Sequence, residues 1–340
     1  MAKRVRVGVI GLGFAGTEHL KGYRATAAAE AEVVALCDLQ SDLLASKAQE
    51  FGIKKTFTNY HKMLQMDGLD AVDVCIPNDL HAPATLDSLR AGKHVICEKP
   101  PARSAKEARQ MADMARKMGK TLMYAVVLRF TSAAQYLKRC INDGMLGDIY
   151  WGRTVYHRRR GIPIGAKAWF VDKKRAGGGS LIDIGVHALD LAWWLMGAPK
   201  PKSVCGASYT KFAHLVPPSV HYNVEDSAFA MVRFVNDATL ILECSWSLNQ
   251  AGGSIQQLAG TKGGAEMHPL KIFTETDGVL ADLMPQPAGN DWYGDEVRHF
   301  AVSIQNRRQP LATAEQGVQL MQMLDAVYES QRTGREVRIR

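Results

Sequence analysis

Short apolar runs alternate with amphipathic segments over the first third of the chain. The apolar runs have the length and composition of strands and cover Val5–Ile10, Val33–Cys37, Ala71–Ile76, His94–Cys97 and Thr121–Ala125. The segments between them have helical periodicity and lie near Glu18–Ala28, Ser41–Phe51, Ala82–Ala91 and Ala105–Met118. Strands that alternate with helices form a parallel sheet with helices on both faces, because the crossovers are right-handed. The pattern predicts a doubly wound dinucleotide-binding domain over residues 1–125.

The pattern changes near residue 125, and we expect a second domain over residues 126–340. A helix is predicted over Ala133–Asn142, and alternating polar and apolar residues then predict strands at Ile149–Tyr156, Ser203–Tyr209, Ala228–Val235 and Ala238–Ser245. Thr313 and Gln316 fit a capping box and Gly334 is a stop, so a closing helix is predicted over Thr313–Arg332. This domain is predicted to be α+β with a large, predominantly antiparallel open sheet. Whether its terminal segment packs back on the first domain stays open.

Composition and charge are those of a folded protein with about two domains. The chain has 340 residues, of which 46% are hydrophobic and 22% are charged. The net charge is +8, but the basic residues are scattered among 34 acidic ones, so nucleic-acid binding is not expected. The densest basic run, Arg158 to Arg160, either is a solvated segment or attracts an anionic substrate.

Cysteine usage and hydropathy indicate the compartment. The six cysteines contain no CxxC pair and several lie in apolar runs, which predicts buried thiols in a reducing compartment. The basic and apolar start resembles a signal peptide but is better explained as a strand that enters a glycine loop. No other segment approaches the roughly 18 apolar residues of a membrane span. We expect a cytoplasmic protein without membrane contact.

A glycine loop after the first predicted strand is the clearest chemical motif. Gly11, Gly13 and Gly16, with Phe14 and Ala15 between them, can bring a pyrophosphate to the backbone N–H groups at a helix N-terminus. Asp38 ends the next strand, 22 residues after Gly16, where a carboxylate can accept hydrogen bonds from both adenosine ribose hydroxyls. The residues after Asp38 provide no arginine for a 2′-phosphate, so NAD is favoured over NADP. The alternative is a purely structural glycine turn.

Two further loops follow later strands of the same predicted sheet. One contains Pro77, Asn78 and His81, and the other contains Glu98 and Lys99. Open α/β sheets bind ligands at the carboxyl ends of their strands, so these residues are expected near the cofactor. Lys99 can stabilise negative charge on a substrate oxygen while hydride leaves, and Glu98 can accept a hydrogen bond from the cofactor or support Lys99. A surface ion pair before a proline turn explains the same residues equally well.

The stretch from Gly177 to Asp190 combines several glycines with candidate catalytic side chains. Its three glycines allow close approach to a ligand, and Asp183 and His187 stand at i and i+4 on one helical face. An imidazole can accept a hydroxyl proton while a neighbouring carboxylate orients it. The spacing also fits half of a metal site, but no third ligand is evident and no metal is expected. The alternative is that both residues are structural, with Asp183 capping the helix and His187 packed against it.

These motifs together resemble the Gfo/Idh/MocA family, named for glucose-fructose oxidoreductase and inositol dehydrogenase, over essentially the whole chain. Further matching elements are Arg129-Phe130, the Gly144 to Gly147 turn and the Ser330 to Gly334 ending. The resemblance implies that Lys99 is the active-site lysine, Asp183 its supporting carboxylate and His187 the proton acceptor, while hydride passes to C4 of nicotinamide. It adds Arg129 to the expected cofactor contacts. It also implies a homodimer or homotetramer formed through the second domain's sheet.

The resemblance implies a sugar, glycoside or polyol as substrate. Tyr156, Arg158, Trp169 and Tyr293 are expected pocket residues, because aromatic rings stack on sugars and arginine binds hydroxyls. Val127-Leu128 stand where many relatives carry a polar residue, which weakens the transfer of any relative's substrate contacts. Trp169-Phe170 before the glycine-rich stretch resemble the branch that oxidises sugars or glycosides, with C3 as one option. Three alternative interpretations remain: an NAD-dependent redox glycosidase, a catalytically silent NAD-binding sensor, and a glycine-rich start of a helix with a purely structural role.

Overall fold

The computed structural model describes residues 3–339. The chain divides into two compact units. The first contains the described residues up to Phe130 together with Asn290–Val318, and the second contains Thr131–Gly289 and the described residues from Gln319 onward. This division differs from the expected boundary at residue 125, since residues 290–318 return to the first unit.

The first unit is built on a six-stranded parallel sheet with the order β3-β2-β1-β4-β5-β6. This order is that of a dinucleotide-binding fold, and every predicted strand of this domain overlaps an observed one. The doubly wound prediction is confirmed. The strands are β1 (Val5–Ile10), β2 (Ala31–Cys37), β3 (Thr56–Phe57), β4 (Ala71–Val74), β5 (His94–Glu98) and β6 (Leu122–Ala125).

The second unit contains a nine-stranded sheet with the order β14-β13-β12-β11-β7-β10-β9-β8-β15. Only the β10–β7 pair is parallel, so the predicted mostly antiparallel open sheet is confirmed. Its strands are β7 (Ile149–His157), β8 (Pro201–Tyr209), β9 (Ser227–Phe234), β10 (Thr239–Ser245), β11 (Gly253–Gly260), β12 (Gly264–Met267), β13 (Lys271–Thr276), β14 (Val279–Leu283) and β15 (Val337–Arg338).

The helices follow local sequence signals. Ser104 caps α5 by accepting the N–H of Glu107, and Gly119 ends that helix in a left-handed conformation. The predicted capping box at Thr313 is present, because Thr313 and Gln316 exchange backbone-to-side-chain hydrogen bonds. The helices are α1 (Phe14–Ala25), α2 (Ser41–Phe51), α3 (Tyr60–Leu64), α4 (Asn78–Arg90), α5 (Ala105–Met118), α6 (Ser132–Asn142), α7 (Lys173–Ala176), α8 (Val186–Leu195), α9 (Trp292–Gln305) and α10 (Ala314–Thr333). Short 3-10 turns cover Val127–Phe130, Gly165–Val171 and Ala213–Leu215, and a π-helical turn covers Leu181–Gly185.

Helix α9 completes the core of the first unit. Its Val297 and Phe300 are fully buried in one apolar cluster with Val7 and Val9 of β1. A side chain on Gly22 of α1 would strike the backbone of α9, so the close approach of these helices requires a glycine there. Helix α9 was not among the predicted elements, although its apolar residues recur at helical spacing.

The cysteines are all unpaired. Four of them are buried, as expected, but Cys75 is half-buried and Cys205 is exposed. No helix among the described residues is long and apolar enough to cross a membrane.

Candidate active site

The glycine loop joins β1 to α1, and two of its glycines are required by the fold. Gly11 has φ +89°, and a Cβ there would collide with the carbonyl of Cys75. A Cβ on Gly16 would collide with the carbonyl of Gly11. A Cβ on Gly13 would meet no protein atom within 4 Å, so the protein leaves that position open. The space at Gly13 and the start of α1 suit a pyrophosphate.

Asp38 is tied to the glycine loop. Its Oδ2 accepts the N–H of Leu12 at 2.8 Å and its Oδ1 accepts the N–H of Gln40 at 2.9 Å. The carboxylate is thus oriented at the end of β2, and each oxygen has a second lone pair for a ribose hydroxyl. Two apolar side chains near these residues are exposed: Leu39, which follows Asp38, is 81% exposed, and Phe14, the first residue of α1, is 66% exposed.

The Glu98-Lys99 loop lies at the carboxyl end of β5. The Glu98 Oε2 accepts the backbone N–H of Lys99 at 2.9 Å, and Lys99 is half-buried. His81 lies behind this loop, with Nδ1 2.9 Å from the Pro100 carbonyl and Nε2 2.7 Å from the Ile76 carbonyl. It is 1% exposed, and burial lowers the pKa of its imidazole. The structure therefore gives His81 the role of joining two loops.

The other expected cofactor and pocket residues of the first unit lie as follows. Pro77 precedes α4, and Asn78 at its first position is 3% exposed. Arg129 is 1% exposed, and its guanidinium donates to the Leu311 carbonyl at 2.8 Å and to Gln316 Oε1 at 2.9 Å. These bonds hold the segment after β6 against the start of α10, a role that the sequence did not indicate. Tyr293, expected in the substrate pocket, packs against Phe14 and His19 of α1.

The glycine-rich stretch of the second unit folds around a buried carboxylate. Glu225 accepts the N–H groups of Gly179 at 2.9 Å and Leu181 at 3.0 Å, and the hydroxyl of Tyr328 at 2.9 Å. A Cβ on Gly179 would collide with the Glu225 carbonyl. Burial raises the pKa of the Glu225 carboxyl. Sequence reasoning missed Glu225, because it lies 46 residues from Gly179 and carries no motif of its own.

Asp183 and His187 are the open positions of an otherwise buried stretch. Every other residue from Leu181 to Asp190 is buried, whereas these two are partly exposed. Asp183 lies in the π-helical turn and His187 at the start of α8. The indole N–H of fully buried Trp246 donates to Asp183 Oδ2 at 2.9 Å and holds the carboxylate in place. Two polar side chains are thus presented from a rigid, apolar helix, and π-turns of this kind are frequent at functional sites.

The remaining pocket candidates of the second unit are aromatic and basic. The Arg158 guanidinium lies 5.6 Å from the Tyr156 ring and donates to the Gly161 carbonyl at 3.4 Å. Trp169 stacks on Phe170 with ring centroids 3.9 Å apart, and Arg175 lies 5.9 Å from the Trp169 ring. Of the basic run, Arg160 donates to Asn249 at 2.7 Å. These rings and cations form local pairs within the second unit.

Comparison with known proteins adds the identity of the fold. Residues 5–126 match the model of the oxidoreductase family with an NAD-binding Rossmann fold, and residues 134–266 match the GFO/IDH/MocA C-terminal domain. The chain is 36% identical to D-glucoside 3-dehydrogenase of Escherichia coli (strain K12), over 98% of this chain and 97% of that protein. The chain belongs to the GFO/IDH/MocA family of oxidoreductases. The resemblance inferred from the sequence is confirmed.

Further members of the family match along most of the chain. The structure of levoglucosan dehydrogenase in complex with NADH and levoglucosan is 25% identical, with a TM-score of 0.88, and covers 99% of this chain and 100% of its own. Myo-inositol 2-dehydrogenase of Thermotoga maritima is 24% identical over 98% of each chain. The chain is therefore similar to oxidoreductases over both of its units.

Proposed function

We propose that the protein is an NAD-dependent dehydrogenase that oxidises a secondary hydroxyl of a sugar, glycoside or polyol. The observation that carries the proposal is the presentation of Asp183 and His187 from an otherwise buried helix, with Asp183 held by Trp246. An imidazole beside an oriented carboxylate is suited to accept a hydroxyl proton. The nucleotide loop and Asp38 in the first unit supply the matching cofactor site.

The residues of the first unit fit a dinucleotide. The open position at Gly13 and the N-terminus of α1 would receive the pyrophosphate, and the oriented Asp38 carboxylate would accept the ribose hydroxyls. A bound nicotinamide would supply the hydride acceptor, its C4. We assign proton acceptance to His187, orientation of that imidazole to Asp183, and stabilisation of the developing oxyanion to the ammonium group of Lys99.

We infer NAD rather than NADP as the preferred cofactor. A 2′-phosphate would face the Asp38 carboxylate as a like charge, and the following residues Leu39 and Gln40 carry no compensating cation. Replacing Asp38 with alanine removes the repulsion and the ribose bonds together, so the ratio of kcat/KM with NAD to that with NADP should narrow. Asp42→Ala, which changes an exposed aspartate of α2, is the matched control and should leave the ratio unchanged. A wild type that prefers NADP contradicts the assignment.

A glucoside is the substrate class that we favour, with C3 as the oxidised carbon. The support is the 36% identity to D-glucoside 3-dehydrogenase over nearly the whole chain, together with the exposed part of Trp169 as a stacking surface for a sugar ring. The test is the formation of NADH, followed by absorbance, from methyl glucosides, free hexoses, anhydro-sugars and inositols. Product analysis then locates the new carbonyl group. Oxidation of inositols alone would contradict the glucoside assignment.

The catalytic assignment is tested by substitution. Lys99→Ala and His187→Ala should each lower kcat by about 100- to 10,000-fold, the usual contribution of a positioned acid or base. Lys106→Ala and His214→Ala change exposed residues of the same types and serve as controls. Retained activity in both active-site variants would refute the assignment. NAD binding without turnover by the wild type would favour a sensor, and sugar release without net NADH would favour a redox glycosidase.

We also propose that the protein forms a homodimer or homotetramer through the nine-stranded sheet. Strand β14 is an edge strand of this sheet, and Val279, Leu280 and nearby Met284 are 66%, 84% and 59% exposed. An exposed apolar edge strand in a folded protein favours association with a second copy. Leu280→Lys should lower the mass measured by light scattering, whereas Leu39→Lys, at an 81% exposed leucine of the first unit, should not. A monomeric wild type would contradict the proposal.

A cytoplasmic location is proposed from the thiols. All six cysteines are unpaired, and Cys205 is exposed, which suits a reducing compartment.

A further inference from the structure

A buried cluster of charged side chains lies between α1 and the Glu98-Lys99 loop. His19 of α1 is completely buried, and its Nδ1 lies 2.9 Å from Oδ2 of Asp73, which is also completely buried. The other ring nitrogen, Nε2, lies 3.5 Å from Oε1 of Glu98 and 3.6 Å from Oε2 of buried Glu296. Carboxylates from β4, β5 and α9 thus converge on one imidazole. None of these contacts is used by the catalytic assignment above.

The surroundings favour the imidazolium form of His19. Carboxylates face both ring nitrogens: Nδ1 is hydrogen-bonded to Asp73, and Nε2 lies at ion-pair distance from Glu98 and Glu296, so a positive charge on the ring attracts carboxylates on both sides. Burial opposes the cation, but the charge of Asp73, the neighbouring Cys75 and the hydrogen bonds of the ring with both hold the pKa of His19 well above its ordinary value. The Cys75 thiol, whose own pKa is raised by burial and by Asp73, donates to Asp73 Oδ1 at 3.1 Å. The ring of Tyr293 packs against His19, with centroids 5.9 Å apart, and burial and Asp73 raise the pKa of the Tyr23 hydroxyl.

The cluster continues to the backbone of the active-site lysine. While one oxygen of Glu98 faces His19, the other accepts the backbone N–H of Lys99 at 2.9 Å. The order of contacts is therefore Asp73, His19, Glu98 and the Lys99 backbone. A carboxylate restrained from both sides has less rotational freedom, and so does the loop that it binds.

We propose that His19 is a positioning residue for Lys99: held by Asp73, it orients the Glu98 carboxylate, which fixes the backbone at Lys99. The proposal rests on the proposed function, since it assumes that Lys99 acts on the substrate. Preorganisation of this kind matters because a lysine displaced by about 1 Å can cost about 100-fold in rate. In this way the helix that follows the nucleotide loop also controls the position of the catalytic ammonium group.

A metal ion is the competing explanation of the same cluster. Ligand atoms of His19, Asp73 and Cys75 lie within 4.8 Å of one another and offer nitrogen, oxygen and sulfur. The 2.9 Å and 3.1 Å separations are hydrogen-bond distances, and a thiol that donates a proton is not a metal ligand. The hydrogen-bonded cluster therefore accounts for the geometry better. Stoichiometric zinc in the purified protein, measured by mass spectrometry of the elements, would overturn the proposal.

Two isosteric substitutions separate the two sides of the imidazole. In His19→Asn the amide nitrogen takes the place of Nδ1, so the contact with Asp73 can persist while the donor toward Glu98 is lost. In His19→Gln the amide nitrogen takes the place of Nε2, so a donor toward Glu98 can persist. Both variants remove the same charge and leave a neutral amide in the same buried site. A purely structural role predicts similar effects from the two changes.

The first measurement is hydrogen exchange at the Lys99 amide, which needs neither cofactor nor substrate. His19→Asn should speed this exchange by about tenfold, the effect of weakening one hydrogen bond to a charged group, and His19→Gln should change it less. Amides of β1 should be unaffected in both variants. His299→Gln, which alters a half-buried histidine that accepts the Leu311 N–H at 2.8 Å, controls for general loosening of the unit. Unchanged Lys99 exchange in a folded His19→Asn protein would overturn the proposal.

The second measurement is steady-state kinetics. His19→Asn should lower kcat by about tenfold or more while the Kd for NAD changes by less than about twofold, and His19→Gln should recover part of the loss. Equal losses in the two variants, or a loss confined to NAD affinity, would contradict the positioning role. If the wild type oxidises no sugar, glycoside or polyol, the proposed function fails, but hydrogen exchange still tests the contacts from His19 to Lys99. The two failures are therefore distinguishable.

Discussion

The hydrogen bond from Trp246 to Asp183 offers a direct test of the site in the second unit. Trp246→Phe removes the indole N–H that donates to Asp183 Oδ2 at 2.9 Å and keeps an aromatic ring in the core. A hydrogen bond to a charged group contributes about 1.5–3 kcal/mol, and about 1.4 kcal/mol corresponds to a factor of ten in rate. If this contribution holds Asp183 in its working position, kcat/KM should fall by roughly 10- to 150-fold.

Trp193→Phe is the matched control. Trp193 is also fully buried, and its indole N–H donates to the Pro199 carbonyl at 2.8 Å, away from Asp183. Both substitutions leave a similar void and remove one indole hydrogen bond, so each should lower the free energy of unfolding by about 2 kcal/mol. The assay is sugar-dependent NADH formation at a temperature where circular dichroism shows both variants folded. Equal activity of the two variants would refute the idea that Trp246 orients Asp183.

Three further predictions concern the glycine loop, the half-buried His94 and the buried Glu225. Gly13→Ala should weaken NAD binding in a fluorescence titration without changing the free energy of unfolding, because its Cβ meets open space. Gly16→Ala should lower both the affinity for NAD and the free energy of unfolding, because its Cβ collides with the Gly11 carbonyl. Burial and nearby Lys120 lower the pKa of His94 to about 4, so the unfolded chain binds this proton at a higher pH than the folded chain does. The free energy of unfolding should therefore fall as pH is lowered from about 6.5 to about 4. Urea titrations of His94→Gln should show a smaller fall. Burial raises the pKa of Glu225, so its contribution to stability is complete below the ordinary carboxyl pKa and is lost as pH rises through the higher folded value. In urea titrations between about pH 4 and pH 8, Glu225→Gln should flatten this decline in the free energy of unfolding. An unchanged dependence of that free energy on pH would count against the buried carboxylate.

Local patterns in the sequence account for most of the fold. The strand and helix alternation gave the parallel sheet, since periodicity and turn residues act over a few neighbouring positions. The capping box at Thr313 was correct because its bonds span three residues. The same reasoning could have found α9, where Val297, Phe300, Ala301 and Ile304 follow helical spacing after the capping residue Asp291.

The candidate chemistry was predictable only where the motif itself contains the contact. Gly11, Gly16 and Asp38 lie in one strand–loop–helix–strand unit, so their arrangement follows from the local fold. Arg129 shows the limit. Its expected contact with the cofactor stays a prediction, whereas its observed partners Leu311 and Gln316 lie more than 180 residues away in the chain, and no sequence pattern indicated those contacts.

The sequence by itself determined the parallel nucleotide-binding sheet, the glycine loop with Asp38, the open antiparallel sheet and the helical spacing of Asp183 and His187. Tertiary structure alone decided what surrounds those residues: Glu225 under the glycines, Trp246 on Asp183, and Asp73 with Glu98 around His19. The physical reason is the range of the interactions. Periodicity, capping and turn geometry depend on residues a few positions apart, whereas a buried carboxylate or indole finds its partner only when distant strands and helices pack together and exclude water.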